Sequence, residues 1–241
     1  MTLSRHWQRW LGCASGGPLL RVWRPAIFAS RLWGSASARL LPRPLRSFQA
    51  DFPQIGITFF EGTDVEVAAW VRDGVADLGI TTETLDRALV AEPYAQDVML
   101  AVVPRGHRLA SHRVAHAGNL ATEAFLMSGG GCEPLIRAFF SEAGMAPIVA
   151  ATVRDIPTLL AMTREGAGVT IVPESVLPDP MIGLRAVPLT PACRRQLMLV
   201  HRADHAPTPA AAACMDALRL KVGECRSGTG NPSPRLADMG E

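Results

Sequence analysis

The stretch Ala69-Trp70-Val71-Arg72-Asp73-Gly74-Val75-Ala76-Asp77-Leu78-Gly79-Ile80-Thr81 returns in outline at Ala161-Met162-Thr163-Arg164-Glu165-Gly166-Ala167-Gly168-Val169-Thr170-Ile171-Val172-Pro173. Each copy reads as a helix end carrying an arginine and an acid, then a stopping glycine, then a short apolar strand. Glycine suits the left-handed position just past a helix. An uninterrupted apolar run suits a strand in a sheet covered on both faces. The same helix-to-strand unit at two distant places predicts two α/β lobes with a cleft between them.

Working outward, residues 55–60, 77–81, 98–103, 124–127, 148–153 and 196–200 read as strands. Helical faces lie between them, which predicts βαβ units and mostly parallel sheets. Val67, Trp70 and Val71 mark a helix ended by Gly74. Pro134 sits in the first turn of a helix bearing Ile136, Phe139 and Phe140 and stopped by Gly144. Asp155 caps a helix bearing Ile156, Leu159 and Leu160, and residues 210–220 form a closing helix. Near the start, Ser35 and Ser37 are placed to cap a helix running through Leu40, Leu41, Leu45 and Phe48. Pro42 and Pro44 belong in its first turn, so regular helix is expected from about Leu41.

The length of 241 residues fits one large domain or two small lobes. No apolar run approaches the roughly 18 residues of a membrane-spanning helix. Five cysteines without C-x-x-C spacing argue against a disulfide framework and a structural zinc site, and fit a reducing cytoplasm. The net charge of +2 conceals an asymmetry. Residues 1–50 carry eight arginines and no acid, whereas residues 51–222 carry 14 basic and 19 acidic side chains, a balance of −5. The body of the chain therefore offers no basic stripe for a phosphate backbone.

The two ends differ from this body. Residues 1–34 hold Trp7, Trp10, Trp23 and Trp33 and follow neither helical nor strand period for long. They are read as an atypical segment outside the fold, arising from a wrong start or a shifted frame. The competing readings are an organelle presequence and a basic arm for nucleic acid. Arg21, Arg24 and Arg31 interrupt any secretory apolar core. Residues 223–241, rich in Gly, Ser, Pro and Asn, are read as a disordered tail.

Ala38-Arg39-Leu40-Leu41-Pro42, Phe52-Pro53-Gln54-Ile55, Gly74-Val75-Ala76-Asp77-Leu78-Gly79-Ile80, Val102-Val103-Pro104-Arg105-Gly106-His107-Arg108-Leu109-Ala110 and the stretch from Asp155 to Pro173 occur in the order they take in one family. Over residues 35–222 the chain resembles the effector-binding domain of LysR-type transcriptional regulators. That resemblance implies an α/β fold like type 2 periplasmic binding proteins, with a ligand cleft between two lobes. Lobe one is expected over 35–100 plus 197–222 and lobe two over 101–196, with crossings near 98–104 and 196–201. It implies a cytoplasmic sensor of a small-molecule effector, often a carboxylate, that assembles as a homodimer or tetramer. The helix near Leu40–Phe48 of one chain would pack on the helix near Leu135–Phe140 of another. A full regulator of this kind carries a winged helix-turn-helix ahead of the domain. Residues 1–34 do not resemble it, so DNA contact by this chain is not expected.

Ligands in such a cleft sit at strand C-termini and helix N-termini, where unpaired N–H groups favour a carboxylate. The candidate contacts are Ser35 and Ser37, Thr81 and Thr82, the loop Ser128, Gly129, Gly130, Gly131 and Cys132, and Val172 with Pro173. Plain caps and turns are the competing reading of the hydroxyls. The three glycines lack the Lys-Ser/Thr ending of a nucleotide loop. Cys132 would be a stabilised thiolate at a helix N-terminus, as in peroxide sensors of the family, or simply a small buried residue. His107, between Arg105 and Arg108, reads as a surface turn. Glu61, Asp64 and Glu66 read as a solvated helix start. No metal set, cofactor motif or nucleophile elbow is legible, so no enzyme is expected. The remaining rivals are a solute-binding protein of a transport system and an enzyme on a similar two-lobed scaffold.

Overall fold

A computed structural model describes residues 26–30, 40–82, 86–129 and 131–227. Its strands are β1 (Ala26–Ser30), β2 (Ile57–Glu61), β3 (Leu78–Thr81), β4 (Leu89–Pro104), β5 (Ala115–His116), β6 (Ala124–Ser128), β7 (Ile148–Val153), β8 (Thr170–Pro173), β9 (Leu184–Thr190) and β10 (Arg194–Arg202). Its α-helices are α1 (Pro42–Asp51), α2 (Asp64–Arg72), α3 (Ala117–Ala121), α4 (Glu133–Ser141), α5 (Ile156–Arg164) and α6 (Pro209–Ser227).

Local chemistry explains most boundaries. Thr63 caps α2 in a reciprocal box: its oxygen accepts from the Glu66 N–H, and its own N–H donates to Glu66 Oε2 at 2.7 Å. The backbone and hydroxyl bonds from Thr63 hold the Glu66 carboxyl below its ordinary range. Asp155 caps α5 by accepting from the Thr158 N–H at 2.8 Å. Gly74 (φ 72°) and Gly166 (φ 84°) end α2 and α5 in left-handed geometry. Past them, the Val75 N–H donates to Trp70 O and the Ala167 N–H to Met162 O. Both glycine-to-strand units thus form by the same capping geometry, one in each lobe.

In the main sheet the order is β2-β1-β3-β10-β4-β9-β5, with β8 also on β4. The sheets are mixed, which corrects the expectation of mostly parallel pairing. β1–β2, β1–β3, β5–β9 and β6–β7 run parallel, whereas β3–β10, β4–β10, β4–β8 and β4–β9 run antiparallel. The cause is β4, which crosses between lobes and so meets strands of both. Its residues through Val98 pair with β10 in lobe one, and from Met99 onward it pairs with β8 and β9 in lobe two. The chain returns at Cys193, whose carbonyl accepts from the Met99 N–H at 2.9 Å, and β10 starts at Arg194. The crossings therefore lie a few residues before the expected 100/101 and 196/197 boundaries. The sequence showed only the second half of β4, because Glu92, Pro93, Gln96 and Asp97 break the apolar run of its first half.

Two further expectations are overturned. Residues 26–30, read as outside the fold, form β1 between β2 and β3, with Phe28 opposite both Phe59 and Leu78. Five residues hemmed by Arg24 and Arg31 are too few to show a period, and only their neighbours define them as a strand. Helix α6 continues to Ser227, past the Gly223 at which the tail was placed. The remaining parts of those end segments, 1–25, 31–34 and 228–241, lie outside the described residues.

One apolar core runs through both lobes. Phe48, Leu78, Ile80, Leu199 and Leu218 from lobe one share it with Leu126, Leu159 and Val172 from lobe two. A second cluster, with Phe125, Ile136, Phe139, Phe140 and Leu189, fills the far side of lobe two. Phe125 and Phe140 meet edge to face, 5.3 Å between centroids.

Candidate functional site

Thr81 ends β3 and Ser128 ends β6, so the two lobes each offer a hydroxyl at a strand C-terminus. Both residues are fully buried, and neither Thr81 Oγ1 nor Ser128 Oγ has a hydrogen-bond partner among the described residues. A buried hydroxyl left unpaired costs about 1–3 kcal/mol, so such groups mark a place where another partner belongs. Thr82 differs: its hydroxyl donates to Asp64 Oδ2 at 2.7 Å and its N–H to Asp64 Oδ1 at 3.1 Å. Asp64 therefore orients the Thr81–Thr82 turn from the start of α2.

The loop after β6 is anchored at both ends. The Gly129 N–H donates to Val153 O at 2.9 Å. A Cβ on Gly129 would lie 2.9 Å from Thr152 Cγ2, so the loop runs tight against the end of β7. Gly131 (φ 93°) turns the chain into Cys132, the residue before α4. Cys132 is buried beside the guanidinium of Arg195, whose Nη1 donates to its sulfur at 3.6 Å. Val172 and Pro173 are buried in β8, Val172 within the shared core and Pro173 opposite Met99. Ser35, Ser37 and Gly130 lie outside the described residues.

Three residues beside this loop carry no pattern that a sequence reading could find. Asp97 on β4 faces Arg195 on β10 in register. Their side chains are 5% and 10% exposed and pair at 2.9 Å. Asp97 also accepts the N–H (3.2 Å) and hydroxyl (2.5 Å) of Ser175, in the 3-10 turn that follows β8. Arg195 Nε is the third buried polar atom without a partner among the described residues. Because β10 runs antiparallel to β3 with Met198 opposite Thr81, Arg195 lies beyond the C-terminal end of β3, and its contact with Cys132 puts it beside the loop that follows Ser128.

An apolar recess of about 650 Å³ opens elsewhere on lobe two, lined by Ile156, Leu160, Val176, Pro178 and Ile182 among others. It includes neither Thr81 nor Ser128. We place the candidate site at the strand ends, because unpaired buried polar groups there need a polar ligand, whereas the recess is mainly apolar, with Arg164 and Ser175 as its polar side chains. His107 belongs to a surface ion cluster instead: its Nε2 lies 3.3 Å from Glu123 Oε2, and Arg108 Nε donates to Glu123 Oε1 at 2.9 Å. Burial pushes the Glu123 carboxyl up, and the bonds from Arg108 and His107 overcome it and hold it low.

The profile of the LysR substrate binding domain matches residues 33–222. Among curated proteins, the chain is 31% identical over 145 residues to the uncharacterised HTH-type transcriptional regulator YvbU of Bacillus subtilis, covering 59% of this chain and 48% of that protein. The chain spans about half the length of the curated relatives it matches. Among solved structures, the effector binding domain of QuiR in complex with shikimate superposes with a TM-score of 0.73 at 18% identity, over 83% of this chain and 97% of that one. The BenM effector binding domain with its effector benzoate gives 0.74 at 19% identity, over 90% and 99%. At such identities these two likenesses speak for the fold alone. No described helix is long and apolar enough to cross a membrane.

Proposed function

The chain belongs to the LysR substrate binding domain family, and from that premise we propose that it senses a small carboxylate as the effector-binding domain of a transcriptional regulator. The family is one of regulators and not of enzymes. The observation that carries the reading is the pair of buried, unpaired hydroxyls at Thr81 and Ser128, one per lobe at a strand end. Shikimate and benzoate, the ligands of two domains of this fold, are both carboxylates. The loop 128–132, leading into α4, and the Thr81–Thr82 turn would hold the carboxylate, with Ser35 and Ser37 completing the lobe-one side. Val172 and Pro173 would back the site. The proposed effector works by binding the closed arrangement of the lobes better than the open one.

A thermal-shift screen of small carboxylates, starting with benzoate and shikimate, tests this directly. For the carboxylate that binds, Ser128→Ala and Thr81→Val are each expected to weaken affinity about 10- to 100-fold, the worth of a hydrogen bond to a charged group. The ligand-free melting temperature should hold or rise, since each change removes an unpaired buried hydroxyl. Full affinity in both variants would remove these residues from the site.

A homodimer is part of the proposal. Strand β2 at the edge of the main sheet exposes Phe59 and Phe60, and β7 exposes Ile148 (61%) and Val149. Exposed apolar edges invite pairing, and β2 and β7 are the strands that follow α1 and α4, the helices assigned to the interface, along the chain. Ile148→Lys should convert the dimer to a monomer of 25.8 kDa in light scattering, with little loss of stability because the side chain packs so little within its own chain. An unchanged mass would move the interface elsewhere. Any DNA contact would fall to a helix-turn-helix segment, since the balance of −5 over residues 51–222 repels phosphate.

A further inference from the structure

Asp97 and Arg195 both sit on the strands that cross between lobes, and each holds a different part of lobe two. Asp97 receives both hydrogen bonds of Ser175, in the turn Glu174–Val176. Arg195 reaches Cys132, the last residue of the proposed ligand loop, and is held by Asp97 at 2.9 Å. The chain of contacts is therefore Cys132, Arg195, Asp97, Ser175, and all four are nearly buried. Its middle pair lies next to the point where β4 changes partners, between Val98 and Met99.

We infer that Asp97, Arg195 and Ser175 form a latch that fixes the ligand loop and the 174–176 turn to the crossing strands, so that the two move as one when the lobes change their angle. This rests on the reading of the domain as a two-lobed sensor and assigns the residues that hold its ligand loop in position. A displacement of Cys132 must shift the guanidinium. Asp97 cannot follow Arg195 without stretching its bonds to Ser175, because one carboxylate serves both. A packed polar chain of this kind passes a small shift onward, since a buried unpaired charge is costly in every intermediate position.

The thiols of the native chain supply a test that needs no ligand. Cys132 lies at one end of the latch, and Ser175, at the other end, bonds to Asp97 and not to Cys132. Cys214, 1% exposed in α6 and pushed up to about 12 by burial, reports global opening. Labelling of the full chain with iodoacetamide at pH 7, followed by peptide mass analysis, reads both sites. In Asp97→Asn and in Ser175→Ala, Cys132 should label about ten-fold faster than in the parent, with Cys214 unchanged. A rise in Asp97→Asn alone would show that coupling stops at Asp97 and would overturn the latch. So would a parallel rise at Cys214, which signals unfolding, or rates within about two-fold of the parent in both variants. Because no effector is present, failure here leaves the carboxylate reading intact, and a failed carboxylate screen leaves the latch intact.

Discussion

Replacing Gly168 by alanine is expected to cost about 4 kcal/mol, on the order of overpacking strain plus the hydrogen bonds it would break. A Cβ at this position would lie 2.4 Å from the carbonyl oxygen of Ala124 and 3.1 Å from Leu126 Cγ. Backbone cannot yield as a side-chain tip can. The contact is also where β6 joins the rest of lobe two. The Val169 N–H donates to Ala124 O at 2.9 Å, the Leu126 N–H to Val169 O at 2.8 Å, and the Thr170 hydroxyl to Leu126 O at 2.7 Å. Pushing the strands apart weakens all three and carries β6, β7 and the ligand loop with it. Gly166 provides the control. Its φ is 84°, but nothing lies within 4 Å of a Cβ there, so Gly166→Ala should cost only the left-handed backbone penalty of about 1–2 kcal/mol. Urea denaturation of the two variants measures the gap, which corresponds to a melting difference of about 10 °C at most. Equal losses would mean that close packing at Gly168 matters no more than backbone conformation.

The second large effect concerns the buried pair. Arg195→Ala leaves the Asp97 carboxylate, and Asp97→Ala leaves the Arg195 guanidinium, without its partner in a site where the two are 5% and 10% exposed. Breaking a buried pair from one side typically costs about 3–5 kcal/mol, whereas replacing both members by apolar side chains is often neutral. The double variant Asp97→Leu/Arg195→Met is therefore expected to be more stable than either single variant, recovering most of the loss. Ser175 keeps a part of the deficit, because its N–H and hydroxyl lose their acceptor. Chemical denaturation of the parent, the two single variants and the double variant makes the comparison. A double variant no better than the singles would show that packing volume, not unpaired charge, dominates the site. A stable double variant would also separate the two roles of the pair, since the latch would be gone while the fold remained.

Much of the fold was legible because it is decided between near neighbours. The cap at Asp155, the stops at Gly74 and Gly166, and the strand at 148–153 each depend on a few consecutive residues, and the structure shows them where the residues point. The first half of β4 and all of β1 were not legible. Their residues carry no clean period, and they are strands because β10, β2 and β3 offer them hydrogen bonds. The same division runs through the site. The loop 128–132 and the Thr81–Thr82 turn announce themselves by glycines and hydroxyls after apolar runs. That Thr81 and Ser128 are left unpaired while Thr82 is tied to Asp64 depends on what surrounds them.

By itself, then, the sequence determined the two lobes, the family and the stretches from which a carboxylate site could be built, since helix ends and apolar runs are local properties written in order along the chain. Tertiary structure alone decided how the two repeated units differ. In the first, Gly79 lies within β3, and the unit ends in an unpaired hydroxyl at Thr81. In the second, Gly168 lets β6 close on β8, and the turn that follows is gripped by Asp97 and, through it, Arg195. Asp97 lies 78 residues from Ser175 and 98 from Arg195 in the chain, and no local rule relates them. Only the crossing of β4 and β10 between the lobes brings the charges together in a place where neither can be left alone.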